Sequence, residues 1–469
     1  MIAEGFDPDF PPGAQAELSA LAARPDPGPD GQAQDLRARL WSSIDNDSSR
    51  DLDQVEVAER VEGGIRVLVG IADVDADVAA GSTIDQHAAS QTTSIYTGVQ
   101  TFPMLPEKLS TDLTSLNQDA DRYAVVIDFV VAADGSISSS SVYRALVRNR
   151  AQLTYSATGA WLEGAAAAPA KVAASADLQA QLKLQDNAAQ LLRAQRHRLG
   201  ALDFDRIEAQ PIITNGQVHG IASHLKNRAS QLIEDFMVAA NGVMAGTLRQ
   251  AKVSSIRRIV KAPERWPRIV ELAKGFGETL PTAPDAIALS AFLKKRRAAD
   301  ALHYADLSLA VIKLMGPGEY ALTRPNDPAE GHFALAAHDY THSTAPNRRF
   351  ADLVTQRLIK SVLDRNQAPY SDEELGSIAR NCTLREDAAR KVERKMNKRI
   401  AAVAVQSRIG EAFAAVVTGV TPKGVFVRVL DPPVEGRLMH GESGVDVGDR
   451  LRLTLLRADP HLGFIDFGR

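Results

Sequence analysis

Residues 43–74 read SIDNDSSRDLDQVEVAERVEGGIRVLVGIADV. Two signals sit back to back in this stretch. The first is an aspartate run, with Asp45, Asp47, Asp51 and Asp53 inside nine positions. Carboxylates this close repel one another unless a cation lies among them, and hard cations such as magnesium take oxygen ligands. The second is a β-branched, apolar segment, Gly63–Val74, that reads as a turn followed by a buried strand. Asx-rich turn chemistry would also explain the aspartates. So would an EF-hand calcium loop, with Asp45, Asp47, Ser49, Asp51, Asp53 and Glu56 at its liganding positions. Two features oppose the calcium loop. Arg50 stands where the sharp turn needs glycine, and strand-like sequence follows where a helix must exit.

Working outward, Tyr123–Ala132 (YAVVIDFVVA) reads as a second buried strand. Asp134-Gly135 is a turn signal, and SISSSSVYRALV then alternates like a partner strand. Helices are expected to dominate from about 178 to 410. Leu232, Phe236, Ala240, Met244 and Leu248 mark one buried helical face, as do Phe350, Val354, Leu358 and Val362. From Ile409 the pattern returns to short strands split by Gly, Pro and Asp: AFAAVVTGV, GVFVRVL, EGRLMH, DRLRLTLLRA and LGFIDFG. Five such strands predict a small closed barrel. Residues 1–36 are expected to form a short appendage, helical or helix-turn-helix-like, ahead of an α/β body at 37–405 and the barrel at 406–469.

Composition bounds the chemistry. The 469 residues carry 54 basic and 58 acidic side chains, for a net charge of -4, and one cysteine. The lone Cys382 excludes an internal disulfide and any multi-cysteine metal site. No run of about 18 apolar residues exists, so no membrane helix is expected. The first residues lack the basic and apolar regions of a secretory signal, so a cytoplasmic location is expected. The near-neutral sum hides a polarity. Residues 1–60 hold 13 acidic and 5 basic side chains, whereas residues 341–400 hold 8 acidic and 13 basic. The basic region includes YTHSTAPNRRFADLVTQR (Tyr340–Arg357). Pro346 suits a first helical turn, with Ser343 or Thr344 as cap. Arg348 and Arg349 would then sit at the positive end of a helix dipole, where a bound phosphate would draw both guanidinia together. Pairing with a nearby acid such as Asp352 would serve equally.

Taken in order, these motifs resemble the ribonuclease II/R (RNB) family of 3′→5′ exoribonucleases. The likeness runs from about Leu40 to Ile400. It includes the aspartate run, Ile71–Tyr96, TFPMLPEKLSTDLTSLN (Thr101–Asn117), RAQLTY (Arg150–Tyr155), GALDFD (Gly200–Asp205), LIEDFMVAAN (Leu232–Asn241) and the arginine segment. Residues 409–469 resemble the S1-type OB-fold RNA-binding domain that follows it. The resemblance implies an α/β (α+β) RNB-type domain with a C-terminal OB barrel. It implies a magnesium-dependent (manganese as a substitute), processive enzyme that takes the single-stranded 3′ end of RNA to 5′-mononucleotides as a monomer. Asp45, Asp51 and Asp53 match metal aspartates. Tyr155 matches an active-site tyrosine, Arg348 a scissile-phosphate arginine and Glu393 a glutamate near the terminal nucleotide. Tyr96 and Phe204 match a base clamp. Arg349, and Phe426 on the barrel, are expected to touch RNA.

Three departures qualify this. The family aspartate after Asp53 is here Gln54, which brings no charge and should weaken metal binding unless Asp47 compensates. A catalytically weakened, RNA-binding relative is therefore the alternative. Gly70 replaces a family histidine. The roughly 40 residues ahead of the likeness are too few for the family's N-terminal OB-fold domains.

Overall fold

The computed structural model describes residues 1–469 apart from 25–27, 29–30, 206–207, 215–216, 225, 302 and 329. Helix α1 (Pro12–Ala22) precedes β1 (Gln34–Asp35), β2 (Trp41–Asp45), β3 (Gln54–Val61) and β4 (Gly64–Ala72). Helix α2 (Thr83–Gln91) leads to a small ribbon, β5 (Ile95–Tyr96) and β6 (Thr101–Phe102), then to β7 (Asp121–Val131) and β8 (Ile137–Thr154). There follow α3 (Tyr155–Leu162), α4 (Ala170–Ala173), α5 (Ala176–Arg198), β9 (Glu208–Thr214), β10 (Gln217–His224) and α6 (Arg228–Gln250). Next come β11 (Ser255–Ile259), α7 (Trp266–Gly275), α8 (Ala286–Ala299), α9 (Tyr304–Met315) and β12 (Glu319–Thr323). Two helices, α10 (Phe350–Leu363) and α11 (Asp372–Val405), then lead to β13 (Ala412–Thr421), β14 (Gly424–Val429), β15 (Glu435–His440), β16 (Arg450–Asp459) and β17 (Phe464–Gly468).

The sheet that carries the aspartates has the order β1-β8-β2-β3-β4-β7, and β8 also pairs with β7. One 18-residue strand does both jobs: β8 runs antiparallel to β7 up to Arg148, then parallel to β2 from Asn149 to Thr154. The sheet thereby curls back on itself. The β3–β4 hairpin, with Gln54 opposite Ile71, is the strand pair expected from the opening stretch, and no helix leaves the aspartate loop. That removes the calcium-loop reading. The Asp134-Gly135 turn joins β7 to β8. Gly135 has φ +82°, and a Cβ there would lie 2.0 Å from the Leu191 carbonyl, so only glycine fits.

Helices α5 and α6 cover this sheet. Leu232, Phe236, Ala240, Met244 and Leu248 are all buried, as their four-residue spacing predicts. Phe236 meets Phe129 of β7 edge-on, with ring centres 6.4 Å apart. Helices dominate 178–410, interrupted by two antiparallel pairs, β9–β10 and β11–β12. Both are short ribbons, too brief for their period-2 pattern to stand out among helical segments. The described part of residues 1–36 holds a 3-10 turn (Ile2–Glu4), α1 and strand β1, so the expected helical piece is present but not two helices of a helix-turn-helix.

Strands β13–β17 close into a barrel of order β13-β14-β15-β17-β16. Its core gathers Phe413, Val417, Val427, Leu438, Leu453 and Phe467. The barrel is tied to the body by Arg428, whose guanidinium lies 2.8 Å from the Asp306 carboxylate, and by Arg450, 2.8 Å from His303 Nε2. No helix among the described residues is long and apolar enough to cross a membrane.

Candidate active site at the open end of the sheet

The aspartates lie where β2 ends and β3 begins. Asp45 closes β2. It accepts hydrogen bonds from the Asn46 amide (2.7 Å) and the Ser49 hydroxyl (3.0 Å), so the loop is wound around its carboxylate. Asp53 is 2% exposed; one oxygen accepts from the Asn347 amide at 3.2 Å, and the other faces Arg348 Nε at 3.5 Å. Burial, with the nearby Asp51 charge adding to it against Arg348, pushes the Asp53 carboxyl up to about 7. Burial also raises Asp45. Asp51 is reached by the Tyr96 hydroxyl at 3.4 Å. Asp47 is exposed and bonded to the Ser156 hydroxyl at 2.5 Å.

Arg348 reaches the site through backbone pairing that sequence alone did not predict. The Ser94 amide donates to the Arg348 carbonyl (3.0 Å), the Phe350 amide to the Thr92 carbonyl (2.8 Å), and Thr93 bridges Arg349. Segment 345–349 is therefore an extended turn, and α10 starts at Phe350 rather than at Pro346. Ser343 and Thr344 do not cap it. The Ser343 hydroxyl donates to Asn241, and Asp352, in the first turn, accepts from the Ala345 amide at 2.8 Å. Asp352 is fully buried and grips Arg349 through two bonds of 2.7 and 2.8 Å. Of the two arginines, only Arg348 is turned to the aspartates, with its side chain 48% exposed. The Arg349 guanidinium is held in this internal pair, because a buried Asp352 needs a partner.

Glu393 of α11 accepts the Tyr96 amide at 3.0 Å, and burial raises its carboxyl. Tyr155 begins α3 behind Asp45, and its hydroxyl is shifted upward by burial and by the Asp45 and Glu56 charges. The structure thus brings Asp45, Asp51, Asp53, Tyr96, Tyr155, Arg348 and Glu393 to one end of the sheet. It sets Phe204 elsewhere, against the apolar cluster of Trp266, Ile269 and Phe292. Phe426 lies on the outer face of the barrel, 38% exposed.

A clasp from Thr114 to Asn117 was not singled out by role. The Ser115 hydroxyl accepts from the Leu52 amide (2.9 Å) and donates to the Arg50 carbonyl (3.0 Å), and the Leu116 amide donates to the Leu52 carbonyl (3.0 Å). Thr114 donates to Asn347 at 2.6 Å, so one strap spaces the aspartate loop from the arginine turn. Its TDLTSLN motif was the available signal. Glu56, named in the sequence only as a calcium-loop ligand, is fully buried, its two oxygens have no hydrogen-bond partner among the described residues, and burial holds its carboxyl well above the usual range.

The donor set suits a hard divalent ion. Asp45, Asp51 and Asp53 offer carboxylate oxygens at one strand end, and burial pushes Asp53 up to about 7 even with Arg348 facing it. Among the described residues, no three such side chains yet stand at coordinating spacing.

A family model described as "RNB domain" matches residues 33–365, and one described as "RNase II-type exonuclease C-terminal S1 domain" matches residues 411–469. Ribonuclease R 1 of Lactococcus lactis is 30% identical over 467 residues, covering 92% of this chain. The chain spans 56% of that relative and about half the length of several other curated relatives. Mycoplasma genitalium RNase R, solved with ribose-methylated single-stranded RNA, superposes with a TM-score of 0.88 at 23% identity, covering all of this chain and 76% of that one. Yeast Ssd1, described as a pseudonuclease, superposes at 0.71 and 16% identity over 97% of this chain and 58% of its own. The fold is shared by both, so activity has to be argued from the site.

Proposed function

The chain belongs to the RNB-domain family, and from that premise we propose that it is a magnesium-dependent 3′→5′ exoribonuclease that digests single-stranded RNA processively to 5′-mononucleotides. The observation that carries this is the convergence of Asp51, Asp53, Tyr96 and Arg348 on one opening, held by backbone bonds between Thr92–Ser94 and Arg348–Phe350.

Asp45, Asp51 and Asp53 would hold magnesium, with manganese as a substitute. The ion would neutralise the phosphodiester and lower the pKa of an attacking water. Arg348, freed from Asp53, would stabilise charge gathering on the phosphoryl oxygens. Tyr96 would stack on a terminal base, and Glu393 would fix the strand that bears it. Stacking is worth about 1–3 kcal/mol per base and reads little sequence, which suits a degradative enzyme. Phe426 of the barrel would hold the incoming strand. The interior of the cell, a single copy of the chain and domain limits at 37–405 and 406–469 complete this reading.

Gln54 favours a second reading, an RNA-binding relative that turns over slowly or not at all. Its side chain is 6% exposed, and its amide donates to the Ile44 carbonyl at 3.4 Å, so it occupies the position with no charge to offer a metal. End-labelled single-stranded RNA with magnesium separates the two. A mononucleotide product that vanishes in Asp53→Asn supports the nuclease. Tight binding without product, with product gained in Gln54→Asp, supports the second reading.

A further inference from the structure

The first residues of the chain pack into the body. Phe6 is 1% exposed and lies against Ile95, Ala389 and Val392, with Met1 and Phe102 at the margin. Two of these neighbours precede site residues directly: Ile95 stands before Tyr96, and Val392 before Glu393. Between them runs the hydrogen bond from the Tyr96 amide to Glu393, at 3.0 Å. Phe6 therefore fills the wedge between β5 and α11, beside the contact that fixes the tyrosine.

The rest of the segment is anchored on both sides of that wedge. The Glu4 carboxylate lies 2.9 Å from Lys391 Nζ and also bonds Lys395, so it grips α11 across one turn. Arg385 bonds the Gly5 carbonyl, and its guanidinium sits 5.3 Å from the Phe6 ring centre. On the other side, Glu17 of α1 accepts from the Thr83 and Ile84 amides (2.6 and 3.0 Å) at the start of α2, where a carboxylate is favoured. The Phe10 ring lies 4.4 Å from that of His87 in α2. Helix α2 in turn feeds Thr92–Ser94, the stretch that pairs with the Arg348 turn.

We propose that Met1–Phe6 is a brace, with Phe6 the positioning residue, that holds Tyr96 against Glu393 and so sets how tightly the site grips the 3′-terminal nucleotide. The consequence for RNA rests on the nuclease reading of Tyr96 and Glu393. Removing the Phe6 ring leaves a cavity beside Ile95 and Val392, so β5 can part from α11 while the main sheet stays intact.

The full-length chain and its Phe6→Ala, Phe6→Leu and Glu4→Gln variants are compared by hydrogen exchange read on the peptide containing Tyr96. Phe6→Ala should speed exchange there by about tenfold or more, with β3 and β4 amides unchanged, while Phe6→Leu stays near the parent. Glu4→Gln should fall between them. Binding is then measured with magnesium chelated, using a linear single-stranded RNA and a circular RNA of the same sequence. Phe6→Ala should lose about fivefold or more for the linear RNA and nothing for the circle. Unchanged exchange at Tyr96, equal acceleration in β3 and β4, or equal loss for both RNAs would overturn the brace. If the parent binds neither RNA, the nuclease reading fails, and the exchange data still decide the packing claim.

Discussion

Replacing Asp53 by Asn isolates one buried acid in the metal-free chain. Its carboxyl is pushed from 3.8 up to about 7, and at 2% exposure there is little solvent to screen it. Between those values the folded chain holds a proton that the unfolded chain has released. Stability therefore falls as pH rises from about 4 to about 7, at about 1.4 kcal/mol per unit. Three units give about 4 kcal/mol at neutral pH, and above that the contribution is flat. Asparagine has the same shape and no such proton, so Asp53→Asn should match the parent near pH 4 and exceed it progressively to about 4 kcal/mol by pH 7–8. Glu56 slopes in the same direction, but it is present in both chains and cancels in the difference.

Denaturant unfolding in excess chelator, at steps from pH 4.5 to 8, reads this difference directly. Adding magnesium should then narrow it to about 1 kcal/mol. An ion bound only to the folded parent adds about 2.7 kcal/mol at a hundredfold excess over its dissociation constant, and Asp53→Asn should gain far less. Below pH 7 the ion must displace the proton, so parent affinity should fall about tenfold per unit as pH drops. Parallel midpoints for parent and variant across the whole range in chelator would refute the claim that Asp53 is held uncharged by burial.

Phe426→Ala should weaken single-stranded RNA binding by about 1–3 kcal/mol without moving the melting temperature, because the ring lies on the outside of the barrel; anisotropy titration checks it. Gln54→Asp should tighten magnesium binding in calorimetry, and no change would mean that the position does not face the ion. Gly135→Ala places a methyl 2.0 Å from the Leu191 carbonyl at φ +82°, so it should cost several kcal/mol in unfolding, on the order of a strained, clashing core substitution. Arg428→Ala leaves Asp306 without its partner, and about 3–5 kcal/mol should be lost in the thermal unfolding of the barrel–body unit.

What could be read in the sequence is what is local in the chain. The β3–β4 hairpin, the Asp134-Gly135 turn, the buried face of α6 and the five separate strands of the barrel each leave a pattern within a few residues, so periodicity and turn chemistry reveal them, although the barrel closes through pairings as distant as Ala412 with Thr454. The aspartate run was legible for the same reason: its four like charges lie within nine residues of one loop.

The contacts that turn these pieces into a site join residues far apart in the chain, and no local pattern reports them. The Arg348 turn is set by Thr92–Ser94, and the aspartate loop by Ser115. Dipole reasoning placed both arginines at a helix start and left phosphate and carboxylate partners open. The structure divides the pair: Arg349 takes the carboxylate and Arg348 stays turned to the opening. That division bears on mechanism. With Arg349 spent on Asp352, one guanidinium remains near Asp53 for an incoming phosphate, and it now lies against the carboxylate that an ion would need. If Asp53 holds an ion as proposed, Arg348 and that ion would compete for it until RNA supplied a second anion. It follows that magnesium and RNA should bind with positive coupling, and a chain that binds each independently would place Arg348 outside the reaction.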